Sequence, residues 1–104
     1  MQLEPGPPSI VITSPPNGSF VPPGVPLPVS GDVFNDGPPI TVTLTNNNWQ
    51  QGDPPQTQIL PGQMLGATRW QTIGSFQIPN RAGVSLSIDA QAALSSTGIG
   101  VTTG

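Results

Sequence analysis

Five carboxylates, Glu4, Asp32, Asp36, Asp53 and Asp89, carry all the acid–base chemistry available to the side chains of this 104-residue sequence, which has no histidine, cysteine, lysine or tyrosine. An imidazole base, a thiolate nucleophile and a Schiff-base amine are therefore excluded. A glycosidase-type mechanism needs two carboxylates held at a fixed separation across the substrate. Here Glu4 lies in a Pro/Gly-rich start, Asp32, Asp36 and Asp53 lie near turns, and Asp89 takes an outward strand position. Such aspartates ordinarily bond nearby backbone N–H groups, so the sequence reads as a non-enzyme with no cofactor. Asp32, Asn35 and Asp36 form a calcium candidate, because hard cations take clustered oxygen ligands. They lack EF-hand spacing, and an Asx turn accounts for the same residues.

Binding chemistry is better supplied. In Asn46-Asn47-Asn48-Trp49-Gln50-Gln51 an indole is flanked by five amides. Such a set suits a sugar, with the ring stacked on Trp49 and its hydroxyls bonded by Asn46, Asn47, Asn48, Gln50 and Gln51. The competing reading places Trp49 as a cover on one end of the core.

Arg69 and Arg81 are the only cationic side chains. Nucleic-acid binding draws on several Lys or Arg to displace counterions, so nucleic acid is not expected as a partner, and neither is an anionic membrane. Charged residues are 7% of the chain, against about 25% in ordinary globular domains. Solubility must rest on Asn, Gln, Ser and Thr, a balance suited to secreted, cell-surface or virion proteins. Without cysteine there is no disulfide from which to read a compartment. Residues Met1 to Pro8 lack the basic and apolar segments of a signal peptide, and no stretch approaches the roughly 18 apolar residues of a membrane span. The expectation is a domain taken from a longer exported chain, or one that reaches its site without the secretory route.

The elements that must position these residues are short strands. Gly and Pro number 13 and 15 and punctuate the chain into alternating apolar segments. Met1 to Pro8 is an extended leader, and residues 9–104 form one domain. Strands are expected at Ile10-Val11-Ile12, at Val25 to Val29, at Val33-Phe34 and at Ile40 to Thr45, where Ile40, Val42 and Leu44 point inward. Pro26 and Pro28 remove donors from one edge only, which makes Val25–Val29 an edge strand or places it beside a break in the ladder. The stretch from Asn46 to Gln63 is polar and proline-broken, which predicts a surface excursion. Further strands follow at Trp70–Ile73 and Phe76–Ile78. The strongest alternation runs from Val84 to Ala92, with Val84, Leu86, Ile88, Ala90 and Ala92 on one face. A turn at Ser95 to Gly98 then leads into Ile99-Gly100-Val101. Helical period is absent, and about seven short antiparallel strands with turns every 8 to 12 residues describe an all-β, immunoglobulin-like sandwich.

A resemblance supports this expectation. Ile12-Thr13-Ser14-Pro15-Pro16-Asn17-Gly18, followed by Val29-Ser30-Gly31, resembles the opening of bacterial immunoglobulin-like modules. Trp70 to Ile78 and Ala82 to Ile88 are similar to their second half, so the likeness spans roughly Ser9 to Val101 and implies that Trp70 belongs to the core. Such domains serve as spacers in exported enzymes and adhesins and occur on phage capsids and tails. The resemblance implies a non-enzymatic structural or binding module displayed on a larger assembly, with a phage virion as the leading case and the virion surface as its location. The alternative is an accessory carbohydrate-binding or spacer module of an exported bacterial enzyme or adhesin, secreted or at the cell surface. Partners are then assembly proteins or a glycan, met in multiple copies. The leader at Met1 to Pro8 or the stretch Gln50 to Gln63 is the part expected to be ordered by a partner.

Overall fold

The computed structural model describes residues 6–104. Glu4 and most of the leader, residues 1–5, lie outside the described residues. Among the described residues there are eight strands and no helix, and the strands form one curled sheet. They are β1 (Ser9–Ser14), β2 (Phe20–Val21), β3 (Ser30–Phe34), β4 (Ile40–Asn46), β5 (Thr57–Met64), β6 (Arg69–Thr72), β7 (Ser85–Gln91) and β8 (Ser96–Thr103). Their order across the sheet is β1-β3-β6-β5-β4-β7-β8-β2. The sheet bends into a half-barrel, so that β1 comes back beside β8 with no ladder between them. Every strand pairing is antiparallel except that of β2, which runs parallel to β8. The all-antiparallel expectation is corrected at this one strand.

Alternation decides which side of the curl each residue faces. Ile40, Val42 and Leu44 of β4 pack inside with Val84, Leu86, Ile88 and Ala90 from β7 and the residue before it. The register sets Val42 beside Ala90 and Leu44 beside Ile88. Trp70 and Phe76 are fully buried among them, and the Trp70 indole N–H donates to the Asp32 carbonyl at 3.2 Å. Trp70 is core, as the resemblance of its segment implies. Gly31, paired with Trp70 across β3 and β6, allows this close packing. A Cβ at position 31 would collide with the Val11 carbonyl of β1 and come within 3.0 Å of the Trp70 ring.

The structure departs from the sequence reading at four segments. Val25–Val29 is reduced to a single bridge, Leu27 to Phe76, with bonds of 3.0 and 2.8 Å in the two directions. Beyond it the Val29 N–H turns to the Thr72 hydroxyl, so the segment lies beside a break in the ladder. Phe76–Ile78 is extended but joins no strand beyond that bridge. The excursion expected from Asn46 to Gln63 shrinks to residues 47–56, because Thr57–Met64 is the strand β5. Pro61 does not disturb the pairing with β4: its carbonyl accepts from Ile73 N at 2.8 Å, so its missing N–H falls on that same side, away from β4. Finally, the turn expected at Ser95 to Gly98 closes earlier, through Ala92 N–H to the Ser95 carbonyl at 2.8 Å, and Ser96–Gly98 already belong to β8.

Candidate functional site

The loop 47–56 leaves the end of β4, and its conformation follows from Asn46. This residue continues the inward alternation of β4 and is only 2% exposed. A buried amide must find partners. Its Nδ2 donates to Asp53 Oδ2 at 2.9 Å, and its Oδ1 accepts from the Asn48 N–H at 3.1 Å. Asn47 Nδ2 reaches Ser87 Oγ at 2.9 Å. The Asn48 amide accepts from Ser85 N–H at 2.9 Å and donates to the Gly83 carbonyl at 3.3 Å. Asn47 and Asn48 thus tie the loop to β7 and to the turn before it, while Asn46 braces the loop from within. Trp49 is 42% exposed, and its indole N–H donates to the Pro54 carbonyl at 2.8 Å. Gln50 and Gln51 are exposed.

Asp53 is the centre of this loop. Its side chain is only 7% exposed and accepts from Asn46, from the Gln50 N–H at 3.0 Å and from two nitrogens of Arg81. The Arg81 hydrogen bonds, helped by the Gln50 N–H and Asn46, hold the carboxyl well below its usual range against the opposing effect of burial. Arg81 is correspondingly pushed up by Asp53, again against burial. The same guanidinium donates to the Asn48 carbonyl at 2.9 Å. Asp53 is therefore a buried, paired carboxylate and not the solvated turn residue the sequence suggests.

The other acidic groups lie apart. Partial burial pushes the Asp36 carboxyl up, but the Ser95 hydroxyl and the N–H groups of Gly37 and Leu94 outweigh it and leave it lowered. Its Oδ2 accepts from Ser95 Oγ at 2.6 Å and its Oδ1 from Gly37 N at 2.8 Å. Asp32 faces Arg69 instead, at 3.9 Å and largely exposed on the arginine side. Asn35, between them in sequence, takes the left-handed conformation at φ 53°, a turn geometry asparagine tolerates. The two aspartates of the calcium candidate thus turn to different neighbours. Among the described residues no group of three or more acidic side chains is placed to hold a metal ion.

Two surfaces among the described residues have a geometry suited to binding. The first is a groove of about 400 Å³ beside the Trp49 loop. Its lining comes from three segments: Pro23, Gly24 and Pro26; Gly52 and Pro54 of the loop; and Gln77, Ile78 and Asn80. Gly24, in the first segment, has φ 70° and a N–H bonded to the Pro79 carbonyl; a Cβ there would lie 2.7 Å from the Asn80 amide oxygen. The second surface is the outward face of β5 and β6. Ile59 is 64% exposed and Ile73 51%, and Ile73 follows the β5–β6 register opposite Pro61. Their neighbours on that face are Thr43, across from Ile59, and the Gln63–Gln71 pair.

No family model matches this sequence, and neither a curated protein nor a solved structure matches it. The geometry of these surfaces therefore carries the functional argument.

Sequence reasoning did not find the Asp53–Arg81 pair or the groove, both of which join segments distant in the chain. The rarity of arginine was the available signal for the pair: one of two cations stands in a turn just before the most regular strand.

Proposed function

We propose that this chain is a non-catalytic, immunoglobulin-like module that docks on a larger assembly through a neutral surface, in several copies, with a phage virion surface as the leading setting. The strand order supports the fold part of this reading. In it, eight strands curl round one apolar core, with β5 joining β1-β3-β6 to β4-β7-β8 in a single sheet. The outward β5–β6 face carries the functional part. Ile59, Pro61 and Ile73 form a contiguous apolar patch set among threonine and glutamine, suited to burial against another protein. The test is co-sedimentation of the protein with the isolated parent particle, comparing wild type with the double variant Ile59→Asp, Ile73→Asp.

A second reading is favoured by the groove: an accessory carbohydrate-binding module of an exported enzyme or adhesin, secreted or at the cell surface. Retention on immobilised polysaccharide, in the absence of any particle, distinguishes it.

A further inference from the structure

We infer that the groove between the Pro23–Pro26 wall and the Trp49 loop is a subsite for a neutral sugar unit. The site shares no residue with the outward β5–β6 face, so it can succeed or fail independently of docking there.

Its lining decides the charge of the ligand. None of the lining residues is ionisable, and a charged group entering would lose hydration with no counter-charge to replace it. What the groove offers is neutral. The exposed side-chain amides of Gln77 and Asn80 each provide donors and an acceptor, a combination that pairs with adjacent hydroxyls. The rings of Pro23, Pro26 and Pro54 present C–H surface to the apolar face of a pyranose. A volume of about 400 Å³ falls at the lower end of ordinary ligand pockets, roughly 300–1,000 Å³, which suits one or two sugar units.

An extended peptide is disfavoured by the same groove. Strand addition needs a free run of backbone N–H and C=O groups. Pro23, Pro26 and Pro54 have no N–H to give. At the remaining wall the Gln58 side chain occupies both backbone groups of Gln77, accepting from its N–H at 2.9 Å and donating to its carbonyl at 2.8 Å. The backbone of Gln77 is closed to a strand while its side chain stays exposed.

The walls are also fixed before any ligand arrives. Arg81 and Asp53 hold the 47–56 loop, the Trp49 indole holds the Pro54 carbonyl, and the Gly24 N–H holds Pro79. A preformed site avoids the entropic cost of ordering loops on binding. Trp49 serves here as a support behind the wall.

The experiment is an amide-resolved NMR titration of the whole chain with neutral oligosaccharides of glucose, mannose, galactose and N-acetylglucosamine. A galacturonic acid trimer and a proline-rich peptide serve as comparators. The expected result is saturable shifts centred on Gly24, Gly52, Gln77 and Asn80 with at least one neutral sugar. Gln77→Ala and Asn80→Ala should each keep a dispersed native spectrum and weaken that binding roughly tenfold, as loss of one or two neutral hydrogen bonds implies. Absence of shifts with every neutral sugar, shifts centred elsewhere, or saturation by the acidic trimer or the peptide alone would overturn the assignment.

Discussion

Arg81 closes on Asp53 across 28 residues of sequence, with Nη2 2.7 Å from one carboxylate oxygen and Nε 3.0 Å from the other. The fork geometry matters as well as the charge, because the same guanidinium also reaches the Asn48 carbonyl. Lysine offers a point charge and cannot reproduce the paired bonds. Arg81→Lys should therefore leave the sheet folded but loosen the 47–56 loop. Hydrogen exchange read by NMR should show faster exchange at the amides of Asn48, Gln50 and Asp53, with the protection of β7 unchanged.

The same pair gives the fold an acid sensitivity. Folding lowers the Asp53 pKa from its unfolded value of about 3.9, so its stabilising contribution is complete above that pH and is lost as pH falls through the folded value. Asp53→Asn lacks this titration. Between neutral pH and pH 4 the wild type should melt above the variant, and below about pH 4 the gap should narrow steadily. A gap that stays constant on acidification would show that the pair contributes nothing through charge.

The strands with strong alternation were legible because one face of each is buried. Val84, Leu86, Ile88 and Ala90 are all fully buried, and their period of two is visible in the sequence. β5 was not legible. Its inward residues Gln58, Leu60, Gly62 and Met64 are only half-buried, so selection for an apolar face is weak, and Pro61 reads as a break. Ser96–Gly98 was read as a turn for a similar reason: Gly98 pairs with Asp89 inside β8, where its lack of a side chain accommodates the aspartate. The place of Trp70 in the core was visible through the resemblance of its segment, not through its own pattern. The cluster that organises the Trp49 loop was not, because Asn46, Asp53 and Arg81 come together only through tertiary packing.

Gly31 makes a sharper packing prediction. An added methyl has to displace the β1 backbone at Val11, whose carbonyl it would overlap, and also crowds the ring of the buried Trp70. Gly31→Ala should lose about 1–3 kcal/mol, the usual range for overpacking, in denaturant melts. Gly66 has no atom within 4 Å of a built Cβ and supplies the control: Gly66→Ala should change stability by less than about 0.5 kcal/mol.

Thr103 ends β8 as a buried hydroxyl, 1% exposed. It accepts from Val84 N–H at 2.9 Å and donates to the Arg81 carbonyl at 2.6 Å. Thr103→Val keeps the shape and removes both bonds, stranding the Val84 N–H in a buried site. The expected loss is about 1–3 kcal/mol. Thr103→Ser, which keeps the hydroxyl, should retain the bonds and fall only by the missing methyl, about 1 kcal/mol. A Thr103→Val variant as stable as wild type would show that the two hydroxyl bonds contribute nothing.

The proposed docking face leads to a prediction about salt. Ile59, Pro61 and Ile73 are neutral, and their partners on that face are threonine and glutamine; the nearest cation along β6 is Arg69. Association that rests on apolar burial and neutral hydrogen bonds has little electrostatic steering to screen. Co-sedimentation with the parent particle should therefore change little between low and high salt. Ile59→Asp with Ile73→Asp should weaken attachment and leave the melting temperature nearly unchanged, since both side chains are more than half exposed. Their loss from a buried interface removes apolar contact and also places two charges where no counter-charge stands. Binding that collapses in high salt, or a double variant that sediments like wild type, would count against this face as the point of attachment and shift weight to the groove.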